Sequence, residues 1–162
     1  MSHDIRVLTA EDELIEAGNI FRTAMIGFPP LNEHQRGVIG KLLEPGRTLG
    51  VFVKGKLAAT ADSTTSTMTL PGGARVGHAA VTHVGVLPSY TRRGIATALL
   101  QHQLRDIADR GEVLASLRAS EATIYERFGY SVASSTATIE VRTARAALRP
   151  GVAAGGPVRG QP

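Results

Sequence analysis

The chain has 162 residues, 43% of them hydrophobic and 20% charged, and no cysteine. That balance is close to the globular average and argues against a disordered or membrane-spanning chain, and the missing thiols exclude disulfides, cysteine nucleophiles and cysteine-ligated zinc. The formal charge of +4 belongs to the tail, because residues 1–141 carry 14 charges of each sign and Arg142, Arg145, Arg149 and Arg159 follow; with only 4% aromatic residues, a nucleic-acid surface is not expected.

The first residues, MSHDIRVLTAEDE, are polar and acidic and lack the basic start and apolar run of a signal peptide. No apolar run reaches the length of a bilayer span, so no membrane partner and a cytoplasmic location are expected. DIRVLT alternates as a first strand does, and Thr9 with Asp12 resembles a capping box that opens a helix. Leu14, Ile15, Ala17, Ile20, Phe21 and Ala24 repeat at helical spacing, and Gly27 with Pro29 and Pro30 marks the end of that helix. Val38, Ile39, Leu42 and Leu43 predict a second, short helix stopped by Pro45 and Gly46. Its GVIGKL stretch is not a phosphate loop, since Lys41 is followed by Leu42 and the preceding glycine is at the wrong distance.

The stretch from Thr48 to Leu70 predicts a hairpin with Lys54, Gly55 and Lys56 at its turn, and PGGARVG makes the next turn. Val76 to Leu87 predicts a long strand closed by Pro88, and Gly94 to Arg110 an amphipathic helix on Ile95, Leu99, Leu100, Leu104, Ile107 and Ala108, closed by Gly111. EVLASLRA reads as a strand, SEATIYERFGY as a short helix capped by Ser120, and TATIEV as a last strand. The fold class expected is α+β, one mixed sheet flanked by helices, with a domain over residues 1–148 and a Gly/Pro/Ala-rich linker or tail over 149–162.

The corner VLPSYTRRGIATALL joins a strand to a helix start, where unpaired backbone N–H groups and the positive end of the helix dipole converge. Gly94 allows close backbone approach to an anion, and Arg92 and Arg93 add charge suited to phosphate oxygens. A solvated turn explains the same three residues, and the corner alone does not decide between the two. Tyr125 has the acidity to protonate a departing alkyl thiolate, and equally suits a core aromatic beside Phe128 and Tyr130. The five histidines show no ligand spacing, so no metal is expected.

Taken together, THVGVLP, TRRGIA and SEATIYERFGY resemble the GNAT superfamily of acetyl-CoA-dependent N-acyltransferases. RASEATIYERFGY further resembles the first domain of the Eis (enhanced intracellular survival) family of aminoglycoside and lysine N-acetyltransferases, over about Val81 to Ser135. The pyrophosphate motif of the superfamily is met from Arg92 to Ala96, but Thr91 stands where Gln or Arg is usual.

The resemblance implies an acetyl-CoA co-substrate, with Val84, Gly85 and Val86 offering backbone groups to the pantetheine arm and thioester. It implies that Arg92, Arg93, Gly94, Ile95, Ala96 and Thr97 hold the pyrophosphate, that Ser120 and Glu121 complete the site, and that Tyr125 is the general acid. The acceptor would be a small-molecule amine or a protein lysine, attacked onto the thioester directly in a ternary complex. His83 takes the place of the family's usual aromatic residue; it is either a packed ring or a base for the acceptor ammonium. Eis-like chains continue into further domains, so this chain resembles a first domain, and the alternative function is an acyl-CoA-binding domain with little activity alone. Apolar surface left uncovered would favour a homo-oligomer.

Overall fold

The computed structural model describes residues 3–26, 28–119, 121–147, 149–152 and 155. It divides into two units, Met1–Ser131 and Val132–Pro162. The first contains a five-stranded mixed sheet: β1 (Asp4–Val7), β2 (Leu49–Val53), β3 (Lys56–Thr69), β4 (Arg75–Val86) and β5 (Leu114–Leu117), adjacent in chain order. The first four are antiparallel and β5 runs parallel to β4. Helices α1 (Glu11–Ala24) and α2 (Glu33–Leu42) lie between β1 and β2, and α3 (Ile95–Asp109) makes the crossover to β5 that a parallel pair requires.

The faces are fixed by which side chains they bury. Ile95 and Leu99 of α3 pack on Leu49, Val51, Ala59 and Ala61, while Ala17 and Ile20 of α1 pack on Leu8 and Leu57. Leu57 to Ser63 of β3 is a continuous buried run because helices cover it on both sides. The hairpin turn is Lys54 and Gly55, both at positive φ (51° and 75°), the backbone a two-residue turn needs; Lys56 already pairs with Val53.

Three expectations change. The Thr9 capping box does not form: Ala10 is the N-cap without a side-chain bond, and Asp12 Oδ1 accepts from the N–H of Glu13. The acidic first turn, Glu11 to Glu13, favours the helix start by its charge instead. Helix α2 does have a reciprocal capping box, between Asn32 and Gln35 at 2.9 and 3.0 Å. The expected helix after β5 is two 3-10 turns, Ala122–Ile124 and Glu126–Phe128, and no strand forms at TATIEV. That segment is exposed throughout and pairs with no other strand among the described residues, and alternation without a partner ladder does not hold a strand. Gly27 and much of the tail lie outside the described residues.

Candidate functional site

Strand β5 pairs with β4 only from His78 to Val81, stopping at Leu117, while β4 runs on to Val86. The last five residues of β4, Thr82 to Val86, therefore have β3 on one side and, among the described residues, no strand on the other. The N–H of Leu87 donates across to Ala58 O at 2.9 Å, so by the alternation of a β-ladder the N–H of Val86 faces the open side. Open space beyond the carboxyl ends of parallel strands is where α/β sheets receive ligands. Gly85 has a second reason to lack a side chain: a Cβ there would lie 3.0 Å from Phe21 Cα and 3.1 Å from Ala24 Cβ, because α1 crosses directly over the strand.

The chain leaves β4 through a 3-10 turn at Pro88–Tyr90 and enters α3 through Thr91 to Gly94. Arg92 and Gly94 both have positive φ, 62° and 75°, and such reversals turn successive N–H groups inward into an anion-binding concavity. Gly94 is the N-cap of α3 and provides no side-chain cap, and the first helical bond is Ala98 N–H to Gly94 O. The N–H groups of Ile95, Ala96 and Thr97 thus have no intrahelical acceptor. Ile95 itself is a core side chain, 2% exposed, so its contribution to this corner is backbone alone. Arg92 and Arg93 are exposed, and Arg93 lies over the Tyr90 ring at 5.3 Å.

Tyr125 sits between the two 3-10 turns that follow β5, half-buried, with its ring edge-to-face against Tyr130 at 5.9 Å. Burial pushes the Tyr125 hydroxyl above the ordinary tyrosine range. Burial first, and then the neighbouring Tyr125, push Tyr130 up to about 12. Tyr125 therefore carries its proton at neutral pH. Glu121 is exposed, with Oε1 accepting from Thr123 Oγ1 at 3.4 Å; Ser120 lies outside the described residues.

A sequence profile for the acetyltransferase (GNAT) domain matches residues 4–133. The chain belongs to the GNAT acetyltransferase family. It is 38% identical over 148 residues to a protein of Streptomyces avermitilis named as an uncharacterized N-acetyltransferase, covering 91% of this chain and 36% of that one. To N-acetyltransferase Eis of Mycobacterium tuberculosis it is 40% identical over 80 residues, 48% of this chain and 20% of Eis. The crystal structure of Eis1 from Mycobacterium abscessus superposes with a TM-score of 0.73 at 56% identity, over 82% of this chain and 32% of that one. The chain thus spans about a third of the length of these relatives. A GCN5-related N-acetyltransferase from Ralstonia eutropha, at 23% identity, shares the fold with a TM-score of 0.67 and is covered over 99% of its length.

Within this GNAT domain, the position read as ambiguous, His83, has a specific setting. The register of β3 and β4 steps from Thr60–Gly85 to Asp62–Thr82, so His83 and Val84 together oppose Ala61 in a β-bulge. His83 has φ of +50°, the left-handed backbone that such a bulge usually assigns to glycine; holding a bulkier residue there costs on the order of 1–3 kcal/mol. The bulge shifts the alternation. Val81, Val84 and Val86 all pack on the α3 side, and His83 is turned to the α1 side, where its ring meets Phe21 edge-on at 4.9 Å.

There His83 borders a pocket of about 220 Å³ between the sheet, α1 and α2, whose polar lining includes Thr48, Thr60 and Asp62. His83 Nδ1 is 3.5 Å from Asp62 Oδ2, and Asp62 Oδ1 accepts from Thr48 Oγ1 at 3.2 Å. Asp62 is 2% exposed and Thr60 1%, and Thr60 Oγ1 has no hydrogen-bond partner. The sequence reading passed over Thr48, Thr60 and Asp62. Its available signal was a lone acid, Asp62, within a run of alanine and β-branched residues too apolar to be a solvent face. Among the described residues no group of three or more His, Cys, Asp or Glu is placed to hold a metal ion.

Proposed function

We propose that this domain binds acetyl-CoA between the open end of β4 and the start of α3 and transfers the acetyl group to a primary amine by direct attack in a ternary complex. The observation that carries this reading is the continuity of Thr82–Val86, unpaired on one side, with a loop of two left-handed residues and an uncapped helix start. A strand edge suits the amide-bearing pantetheine arm, and the concavity suits a pyrophosphate.

Of the three residues that the resemblance assigns, Val84, Gly85 and Val86, it is Val86 whose N–H in this reading faces the arm and the thioester carbonyl, where it stabilises the charge that develops on oxygen. Gly85 by the same alternation faces β3. The N–H groups of Gly94 to Thr97 and the side chains of Arg92 and Arg93 hold the pyrophosphate, and Glu121 and Ser120 are the further cofactor residues that the resemblance implies. Alignment of amine and thioester supplies most of the rate, so no nucleophilic side chain is needed. Tyr125, kept protonated by burial, gives its proton to the departing thiolate. The acceptor is a small-molecule amine or a lysine, and the setting is cytoplasmic.

Because the chain spans about a third of its relatives, a second reading is an acyl-CoA-binding domain with little activity alone, one that works as an oligomer or beside further domains. Titration calorimetry with acetyl-CoA, paired with a thiol-release assay over aminoglycoside, polyamine and arylalkylamine acceptors, separates them. Binding with acceptor-dependent thiol release supports the enzyme, and binding without release supports the binding domain. No binding rejects both.

A further inference from the structure

The pocket on the α1 face floors itself with a polar group set that the cofactor site does not use. Asp62 is a buried carboxyl group whose Oδ1 accepts from Thr48 Oγ1 and whose Oδ2 lies 3.5 Å from His83 Nδ1; a buried acid is held where such polar partners meet it. Because Nδ1 is the ring nitrogen that faces Asp62, a proton on Nδ1 leaves the lone pair on Nε2 at the opposite edge of the ring. The ring is fixed edge-on by Phe21, yet its side chain is 42% exposed, so it remains reachable from the pocket. The bulge that turns it there keeps a histidine in a backbone conformation better suited to glycine. Beside the pair, the Thr60 hydroxyl is fully buried with no partner.

The walls determine what fits above this floor. Ala17, Phe21, Leu31 and Ile39 are apolar, and the volume of about 220 Å³ is below the roughly 300–1,000 Å³ of pockets that hold drug-sized ligands. Besides His83, the charged groups lining the pocket are Asp62 from β3 and Arg22 from α1, and Gln35 from α2 is neutral. Arg22 is tethered through Nε to the carbonyl oxygen of Pro29. One acid and one arginine give no excess of negative charge to attract a polycation.

We propose that His83, oriented by Asp62, is the base that deprotonates the acceptor, and that the pocket takes a primary amine on a single small apolar group, an aryl- or alkylamine, in preference to a polycationic aminoglycoside. This rests on the acetyl-transfer reading above. The acceptor enters as an ammonium ion and gives one proton to His83 Nε2. Its lone pair then forms the N–C bond at the thioester carbonyl as the C–S bond breaks. The nitrogen gives its second proton to water, Tyr125 delivers its own proton to the thiolate and regains one from water, and His83 returns the first to solvent, so one proton is released in all. Thr60 Oγ1 accepts from the remaining N–H, and Asp62 acts as a positioning residue.

The test uses the 162-residue chain, with 2-phenylethylamine and kanamycin as probes. Equilibrium binding of each amine is measured without cofactor, turnover with acetyl-CoA is followed across pH, and acetyl-CoA affinity is measured by calorimetry. Phenylethylamine is expected to bind at least tenfold more tightly than kanamycin and to be the better substrate. His83→Phe, which keeps an aromatic ring against Phe21, should lower kcat/KM at least a hundredfold at neutral pH and relieve the loss through added hydroxide as pH rises, with acetyl-CoA affinity kept within threefold. Asp62→Asn should shift the acid limb of the kcat/KM profile, a change that a structural role alone does not produce. Unchanged turnover in His83→Phe, or tighter binding of kanamycin, overturns the proposal. Loss of acetyl-CoA binding in the unaltered chain instead overturns the acetyl-transfer reading, and the amine-binding arm still decides the pocket.

Discussion

Thr91 donates its hydroxyl hydrogen bond to the carbonyl oxygen of Pro88, 2.9 Å away, and so closes the turn that leads out of β4. The hydroxyl is engaged locally, at the position where the resemblance leads one to expect a Gln or Arg side chain. In the proposed cofactor site the phosphate charge then falls to Arg92 and Arg93. Replacing both with Ala is expected to weaken CoA binding more than tenfold and to flatten its dependence on salt, read by calorimetry at two ionic strengths.

Tyr125→Phe removes one oxygen and leaves the ring that packs on Tyr130. General acid catalysis contributes about 10²–10⁴-fold, so kcat should fall by at least a hundredfold with acetyl-CoA affinity little changed. A variant with wild-type kcat would assign the tyrosine to packing.

A buried ion pair joins the loop before β2 to the segment before β5. Arg47 donates through Nη2 to Glu112 Oε2 at 2.6 Å, and through Nε and Nη1 to Ser63 and Thr65, with both charged side chains almost fully buried. Glu112→Leu strands the arginine and should destabilise the fold by about 3–5 kcal/mol. The double replacement Arg47→Met with Glu112→Leu should recover most of that loss in urea denaturation.

Alkaline stability follows from Tyr130. Its folded-state value of about 12 lies above the ordinary tyrosine value of 10, so between those values the unfolded chain has released a proton that the folded chain still holds. Stability from this group is complete below pH 10 and declines as pH rises toward 12. The midpoint of thermal unfolding should fall across that window, and by less in Tyr130→Phe.

Gly85→Ala tests how closely α1 lies on β4. The new methyl group would press on Phe21 and Ala24, and overpacking of this kind costs about 1–3 kcal/mol. Loss of acetyl transfer is expected along with the lower stability, because Phe21 also holds the ring of His83.

Sequence periodicity carried the helices and the long strands, because each buries one face against a neighbour close in the fold. The corner around Gly94 was legible as a fold feature for the same local reason: a strand, a loop and a helix start need only a few residues to declare themselves. The bulge at His83 was not, since its cause is tertiary, a mismatch of one residue between β3 and β4 beneath α1. Simple alternation would have put His83 on the same face as Val81. Asp62 was hidden similarly, as the one acidic residue in a strand whose burial on both faces only the packed helices reveal. The segment around Ile139 shows the converse error: its alternation is real, but no ladder receives it among the described residues. Arg47 and Glu112, 65 positions apart, carry no local signal at all.

The stretch of β4 beyond Val81 also bears on how long the molecule survives. A ligand that lies along that edge serves as a further strand, and folding and occupancy become one equilibrium. At a hundredfold excess over its dissociation constant such a ligand adds about 2.7 kcal/mol to stability, a sizeable share of the 5–15 kcal/mol that holds a typical domain together. If acyl-CoA is that ligand, as proposed, resistance to heat and proteases would follow its local supply, and the persistence of this protein would gauge the ligand it binds.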